Sequence, residues 1–201
     1  MISAVLVAAG AGACGSDHPK TTSAANGQPA ATAQGGQGSS TTGSTAPPCT
    51  FSGATDAARG GDGSPTRLLT DVRVGAHDCY ERVTFEFKPQ AGDADGPVAW
   101  RAAYERPPIT EDGSGRTVKV KGASFLVVHF TASGADLTKE AAPDTYTGPT
   151  SIEAAGSTRI QQVRRTGDFE AVLTWVIGLD RQRPFHVTTQ DSPARVVVDI
   201  G

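Results

Sequence analysis

Along the last two thirds of this chain, apolar residues recur at every second position and not at the spacing of an amphipathic helix. In Glu81 to Phe87, Val83, Phe85 and Phe87 share one face of an extended strand, and Arg82, Thr84 and Glu86 share the other. Val98, Trp100, Ala102 and Tyr104 repeat the pattern, as do Ala194, Val196, Val198 and Ile200. A period of two restricts the chain to sheet with one packed face and one wet face. Two segments, 124–131 and 169–177, are apolar on both faces, which predicts strands in the middle of a sheet and covered on both sides. Further strands are expected at Arg67 to Val74, Thr117 to Val120, Thr158 to Thr166 and Pro184 to Thr189. Turn signals at Glu111-Asp-Gly-Ser-Gly115 and Thr166-Gly-Asp168 separate them, and one short helical turn is expected at Ala135 to Lys139. About nine short strands at this spacing give an all-β fold, a two-layer β-sandwich.

Upstream of residue 66 the composition changes. The run Ile2 to Ala13 is apolar and ends in small residues. It is shorter than the ~20 residues a helix needs to cross a bilayer, so it reads as an export signal over 1–13. Ala11-Gly12-Ala13-Cys14 resembles a bacterial lipobox, in which cleavage precedes the cysteine and its thiol carries diacylglycerol, so Cys14 is the expected lipidation site. From residue 14 to 48, Gly, Ser, Thr, Ala, Gln and Pro dominate and no aromatic residue occurs, a composition that builds no core and serves as a tether. Such a tether has a root-mean-square span of about 30 Å and a stretched limit near ~110 Å. Residues 49–65 remain Gly-rich, but Cys49 and Phe51 give them two anchoring points, so they are expected to lie across the domain as an N-terminal arm. The packed domain is then 66–201, long enough to bury roughly two thirds of its unfolded surface.

Setting Cys14 aside leaves Cys49 and Cys79, an even pair in an exported chain, and a disulfide between them is expected. A redox pair or a metal site is disfavoured, because there is no Cys-x-x-Cys and no histidine at ligand spacing. No metal or other cofactor is expected. A formal charge of -3 argues against a nucleic-acid footprint, and the Arg159, Arg164 and Arg165 cluster reads as a solvated strand edge.

The strong catalytic signatures are missing from the domain: no Gly-x-Ser-x-Gly elbow, no His-Glu-x-x-His and no phosphate-binding loop. Weaker candidates are His77 beside Asp78 and Glu81, as a general base, and Asp168 with Glu170, as paired carboxylates for glycoside hydrolysis. Turn chemistry explains both sets more simply. Asp112-Gly-Ser-Gly-Arg116 lacks the alternating acids of a calcium loop and reads as a hairpin turn. His129 alternates with Phe125 and Val127 and is expected to be a packed, hydrogen-bonded sheet residue. Trp100 and Trp175 fall on apolar strand faces, whereas Tyr146 falls in a loop and is the expected glycan-contact residue.

Five stretches carry a resemblance: Arg67 to Gly75, Tyr80 to Phe87, Thr110 to Gly115, Gly167 to Asp180 and the closing Pro193-Ala-Arg-Val-Val-Val-Asp-Ile200. Over residues 66–201 the chain resembles the AMIN-like domain of actinobacterial lipoproteins. These in turn resemble the AMIN domain of cell-wall amidases and secretion proteins, a small β-sandwich that directs its host to the envelope by binding peptidoglycan. The resemblance implies a binding module with no catalytic residues of its own. Arg82, Arg195 and Asp199 are expected to form cross-strand ion pairs on the wet face, each contributing at most about 1 kcal/mol. The whole reads as an extracytoplasmic, lipid-anchored module whose partner is a cell-wall glycan or an envelope protein and whose only membrane contact is its lipid. The alternatives are a hydrolase or transferase acting on wall material and a carrier holding an apolar ligand in a hollow barrel.

Overall fold

The computed structural model describes residues 49–62 and 65–201. The export signal, Cys14 and the 14–48 tether lie outside the described residues. Ten strands follow one another: β1 (Ala58–Gly60), β2 (Arg67–Ala76), β3 (Glu81–Lys88), β4 (Trp100–Glu105), β5 (Ser124–Ser133), β6 (Ser151–Glu153), β7 (Ile160–Phe169), β8 (Val172–Leu179), β9 (Phe185–Asp191) and β10 (Ala194–Ile200). No helix occurs among the described residues.

Hydrogen bonding runs in the order β6-β7-β8-β5-β2-β3-β10-β9, with β4 on β5 and β1 on β4. Two groups of antiparallel strands result, β2-β3-β10-β9 (sheet A) and β1-β4-β5-β8-β7-β6 (sheet B), joined where Arg67 and Leu68 of β2 run parallel to Ala132 and Ser133 of β5. The inner faces meet in one core. Phe85 of β3 packs on Phe130 of β5 and Trp175 of β8 at centroid separations of 4.8 and 5.9 Å, and Phe87 packs on Phe130 at 5.2 Å. Leu69, Val196, Leu126, Ile160 and Leu173 complete a filled interior, as the period-two pattern requires.

Both apolar segments supply central strands, although 169–171 of the second are the end of β7 and the reversal before β8. β5 lies between β4 and β8, and β8 between β5 and β7. Their second apolar face is covered by a loop: Ile109 and Val120 pack over Val127 and Val176. Thr117 to Val120, expected as a strand, belongs to this covering loop, pinned by the Thr110 and Thr117 bridge and by Val118 N–H on the Ile109 carbonyl at 2.8 Å. It lies across the face of β5 and β8, whose edges are already paired with β4 and β7, and so joins no ladder. The expected turn at Thr166-Gly-Asp168 is instead a β-bulge inside β7, and the chain reverses later, at Glu170 and Ala171. The expected helical turn is replaced by two successive turns, Lys139 N–H on the Asp136 carbonyl and Ala142 N–H on the Lys139 carbonyl. The short strands β1 and β6 carry no period-two signal, because three residues each are too few to show alternation.

Candidate functional site

The outer face of sheet A carries charged side chains that neutralise one another. Arg82 and Asp199, direct partners across β3 and β10, form a two-pronged pair at 2.7 and 2.9 Å. Glu86 accepts from Arg195 at 2.8 Å and from Arg73 at 3.1 Å, and these hydrogen bonds hold its carboxyl below the usual glutamate range despite partial burial. The expected ion pairing of Arg82, Arg195 and Asp199 is therefore present, with Glu86 as the partner of Arg195. It occupies the closing strand's charged positions in holding two strands together.

The residues considered for catalysis are not brought together. His77 stacks on Tyr80 at 4.6 Å in the turn between β2 and β3. Asp168 accepts from Gly134 N–H at 2.9 Å and lies 3.6 Å from Arg165, while Glu170 forms the reversal between β7 and β8. Arg159 and Arg164 are used in the same way, beside Glu81 at 3.8 Å and on the Lys119 carbonyl at 3.3 Å. Among the described residues no group of three or more His, Cys, Asp or Glu gathers where it would hold a metal ion.

Tyr146 is a core residue, 5% exposed, with its ring edge-on to Trp175 at 5.6 Å and its hydroxyl donating to the Pro149 carbonyl at 2.8 Å. Burial pushes its phenol above the usual range. Neither face is free to stack on a sugar ring, so the glycan contact expected of Tyr146 is corrected: its loop folds inward because Trp175 offers an apolar surface. Cys49 and Cys79 are bridged, with Cα atoms 5.0 Å apart. The disulfide fastens the arm, and an Ala54 to Phe185 bridge fastens it again before β1 joins the edge of β4.

The outer face of sheet B is different. Its strands place Arg59, Arg101, His129 and Thr174 side by side across β1, β4, β5 and β8. Thr174 donates its hydroxyl to the Asp112 carboxylate, so its oxygen is left to accept from His129 Nδ1–H at 3.1 Å; Nε2 then faces Glu105 at 3.7 Å. His129 is thus half-buried and hydrogen-bonded, as expected. Beside this row lies a shallow concavity of about 500 Å³, lined by Arg59, Arg101, His129, Thr131 and Val172 and closed by Gly60, Gly61 and Trp100. Gly61 adopts φ +75°, and a Cβ there would come within 2.2 Å of the Val98 carbonyl oxygen, so this wall is necessarily bare backbone. Neither Arg59 nor Arg101 had a signature in the sequence: one sits in the Gly-rich arm, the other is one wet position of an alternating strand.

No curated protein and no solved structure matches the chain. The family model of the AMIN-like domain matches residues 67–201, from the first residue of β2 to the end of the chain. The match takes in nine of the ten strands and both sheets. The chain belongs to the AMIN-like domain family.

Proposed function

We infer that this protein is a binding module of the cell envelope, held to the membrane by a lipid on Cys14, that recognises peptidoglycan or another envelope component and catalyses no reaction. The observation that carries the reading is the AMIN-like domain over residues 67–201, a family of binding modules. The Cys49 to Cys79 disulfide supports it, since such bonds persist in oxidising compartments outside the cytoplasm. Of the groups considered for chemistry, His77 stacks on Tyr80, Asp168 accepts from Gly134 N–H and Glu81 accepts from the loop entering β7. The interior is filled by Phe85, Phe87, Phe130 and Trp175, which favours a surface binder over a carrier with a hollow core.

Retention of the purified full chain on isolated peptidoglycan tests the binding. The expected result is retention well above a control consisting of the tether alone; equal retention would remove the wall-binding reading. Mass spectrometry of the membrane fraction tests the anchor, with a diacylglyceryl group expected on Cys14 and its loss, with release of the protein, expected for Cys14→Ser.

A further inference from the structure

We propose that the shelf on the outer face of sheet B is an oxyanion-binding site, with Arg59 and Arg101 receiving a carboxylate of a wall peptide; the choice of ligand rests on the envelope-binding reading above. The two arginines are direct cross-strand partners in the β1 and β4 pair, an arrangement of like charges that costs stability. Both are exposed, and among the described residues neither makes a hydrogen bond or salt bridge. Of the acids on this face, Asp112 accepts from Thr174, and Glu105 lies 3.7 Å from His129 Nε2 and makes no ion pair with either arginine. On sheet A the same fold neutralises its arginines one by one, so two adjacent cations left without acids are specific to this face.

Two guanidiniums presented from neighbouring strands match the two oxygens of a carboxylate, or those of a phosphate. The second row of the shelf chooses between them. Thr131 lies opposite Val172, which in turn lies opposite Phe169, and Val172 and Phe169 are 43% and 54% exposed. Beside Thr131 runs Ala99, whose carbonyl accepts the Thr131 N–H at 3.0 Å. Within the shelf itself, Ala99, Thr131 and Val172 set methyl groups and small side chains next to the cations, which suits an acid carried on a short aliphatic residue, such as the carboxylate of an alanine-type peptide. Ring stacking inside the shelf is limited to the part of Trp100 that reaches it, since Tyr146 is buried and Phe169 lies outside the lining.

The test is a nuclear magnetic resonance titration of the full chain with N-acetyl-D-alanyl-D-alanine and, separately, with inorganic phosphate. It is paired with retention on peptidoglycan before and after an amidase has removed the peptides. The variants are Arg59→Ala/Arg101→Ala and, as a control losing the same charge from elsewhere, Lys88→Ala/Lys119→Ala. The dipeptide is expected to shift residues 59, 101, 129, 131 and 172. The arginine double variant is expected to bind at least about tenfold more weakly, the effect of one or two lost charge-assisted hydrogen bonds, with an unlowered melting temperature because a repulsion has been removed. Amidase treatment is expected to lower retention. If the arginine variant binds like the lysine control, the site is overturned. If phosphate alone shifts these residues and amidase treatment changes nothing, the peptide carboxylate is overturned in favour of a phosphate-bearing polymer. Dipeptide shifts at the arginines without retention on peptidoglycan would remove the wall-binding reading and leave the site standing; retention with no shift there would do the reverse.

Discussion

Glu81 is an acid on the wrong side of its sheet. It lies opposite Ile200 on the inner face of sheet A and is 2% exposed. Burial acts to raise its pKa, but the Ser157 hydroxyl and the backbone N–H groups of Ile160, Thr158 and Arg159 outweigh it and hold the carboxyl below the usual glutamate range. The carboxylate therefore acts as a clamp between β3 and the loop entering β7, tying one sheet to the other. Glu81→Gln should cost about 3 kcal/mol at pH 7, because it leaves buried N–H donors short of a charged acceptor; urea denaturation measures it. A folded pKa below the unfolded one means that this stability is complete above ~4.3 and is lost as pH falls through the folded value. The gap between wild type and Glu81→Gln should accordingly narrow in the same experiment at about pH 3. Glu86 adds to acid destabilisation with the same sign, through Arg195 and Arg73. None of this was readable in the sequence, where Glu81 opens an alternating strand and its donors lie more than seventy positions away.

Most strands announced themselves because one face is packed and one is wet, and the alternation survives to the strand ends. The reversals between them were less legible. Between β7 and β8 the chain turns on Glu170 and Ala171, both left-handed at φ 51° and 61°, a geometry of the I′ type that favours Asn-Gly. Thr166-Gly-Asp168 was the better turn signal by composition, yet it lies within the ladder as a bulge, because the pairing of Phe169 with Val172 extends the hairpin past it. Replacing Glu170 and Ala171 by Asn and Gly should stabilise the protein by about 1–2 kcal/mol, read as a higher melting temperature with unchanged fold. The covering loop makes the opposite prediction. A Cβ at Gly178 would come within 1.9 Å of the Lys121 carbonyl oxygen, so Gly178→Ala should displace the loop and cost roughly 2 kcal/mol or more. Hydrogen exchange should then rise across 106–121 while the sheet stays protected.

In the molecule as a whole, the disulfide couples the arm to the domain, and the arm supplies β1 with Arg59. Its loop of 30 residues corresponds to about 3.5 kcal/mol in the chain-entropy argument. Cys49→Ser/Cys79→Ser should lower stability by a comparable amount in denaturant titration, speed hydrogen exchange in β1, and weaken retention on peptidoglycan by loosening one of the two cations. Here the division between chain and fold is clear. Period-two alternation fixed an all-β body of two layers, two apolar strands fixed its centre, and a pair of cysteines fixed the staple, because each is a local or pairwise property of residue type. The candidate face required the tertiary structure. Arg59 and Arg101 are 42 positions apart and become neighbours only in the β1 and β4 ladder, while Asp112 over the same face is taken by Thr174. Tyr146 gave the converse lesson: a loop aromatic reads as exposed until Trp175 provides a surface that buries it. Sequence records what each residue can do, but which charges are left without a partner depends on the register between distant strands, and that is settled only when the sheets close.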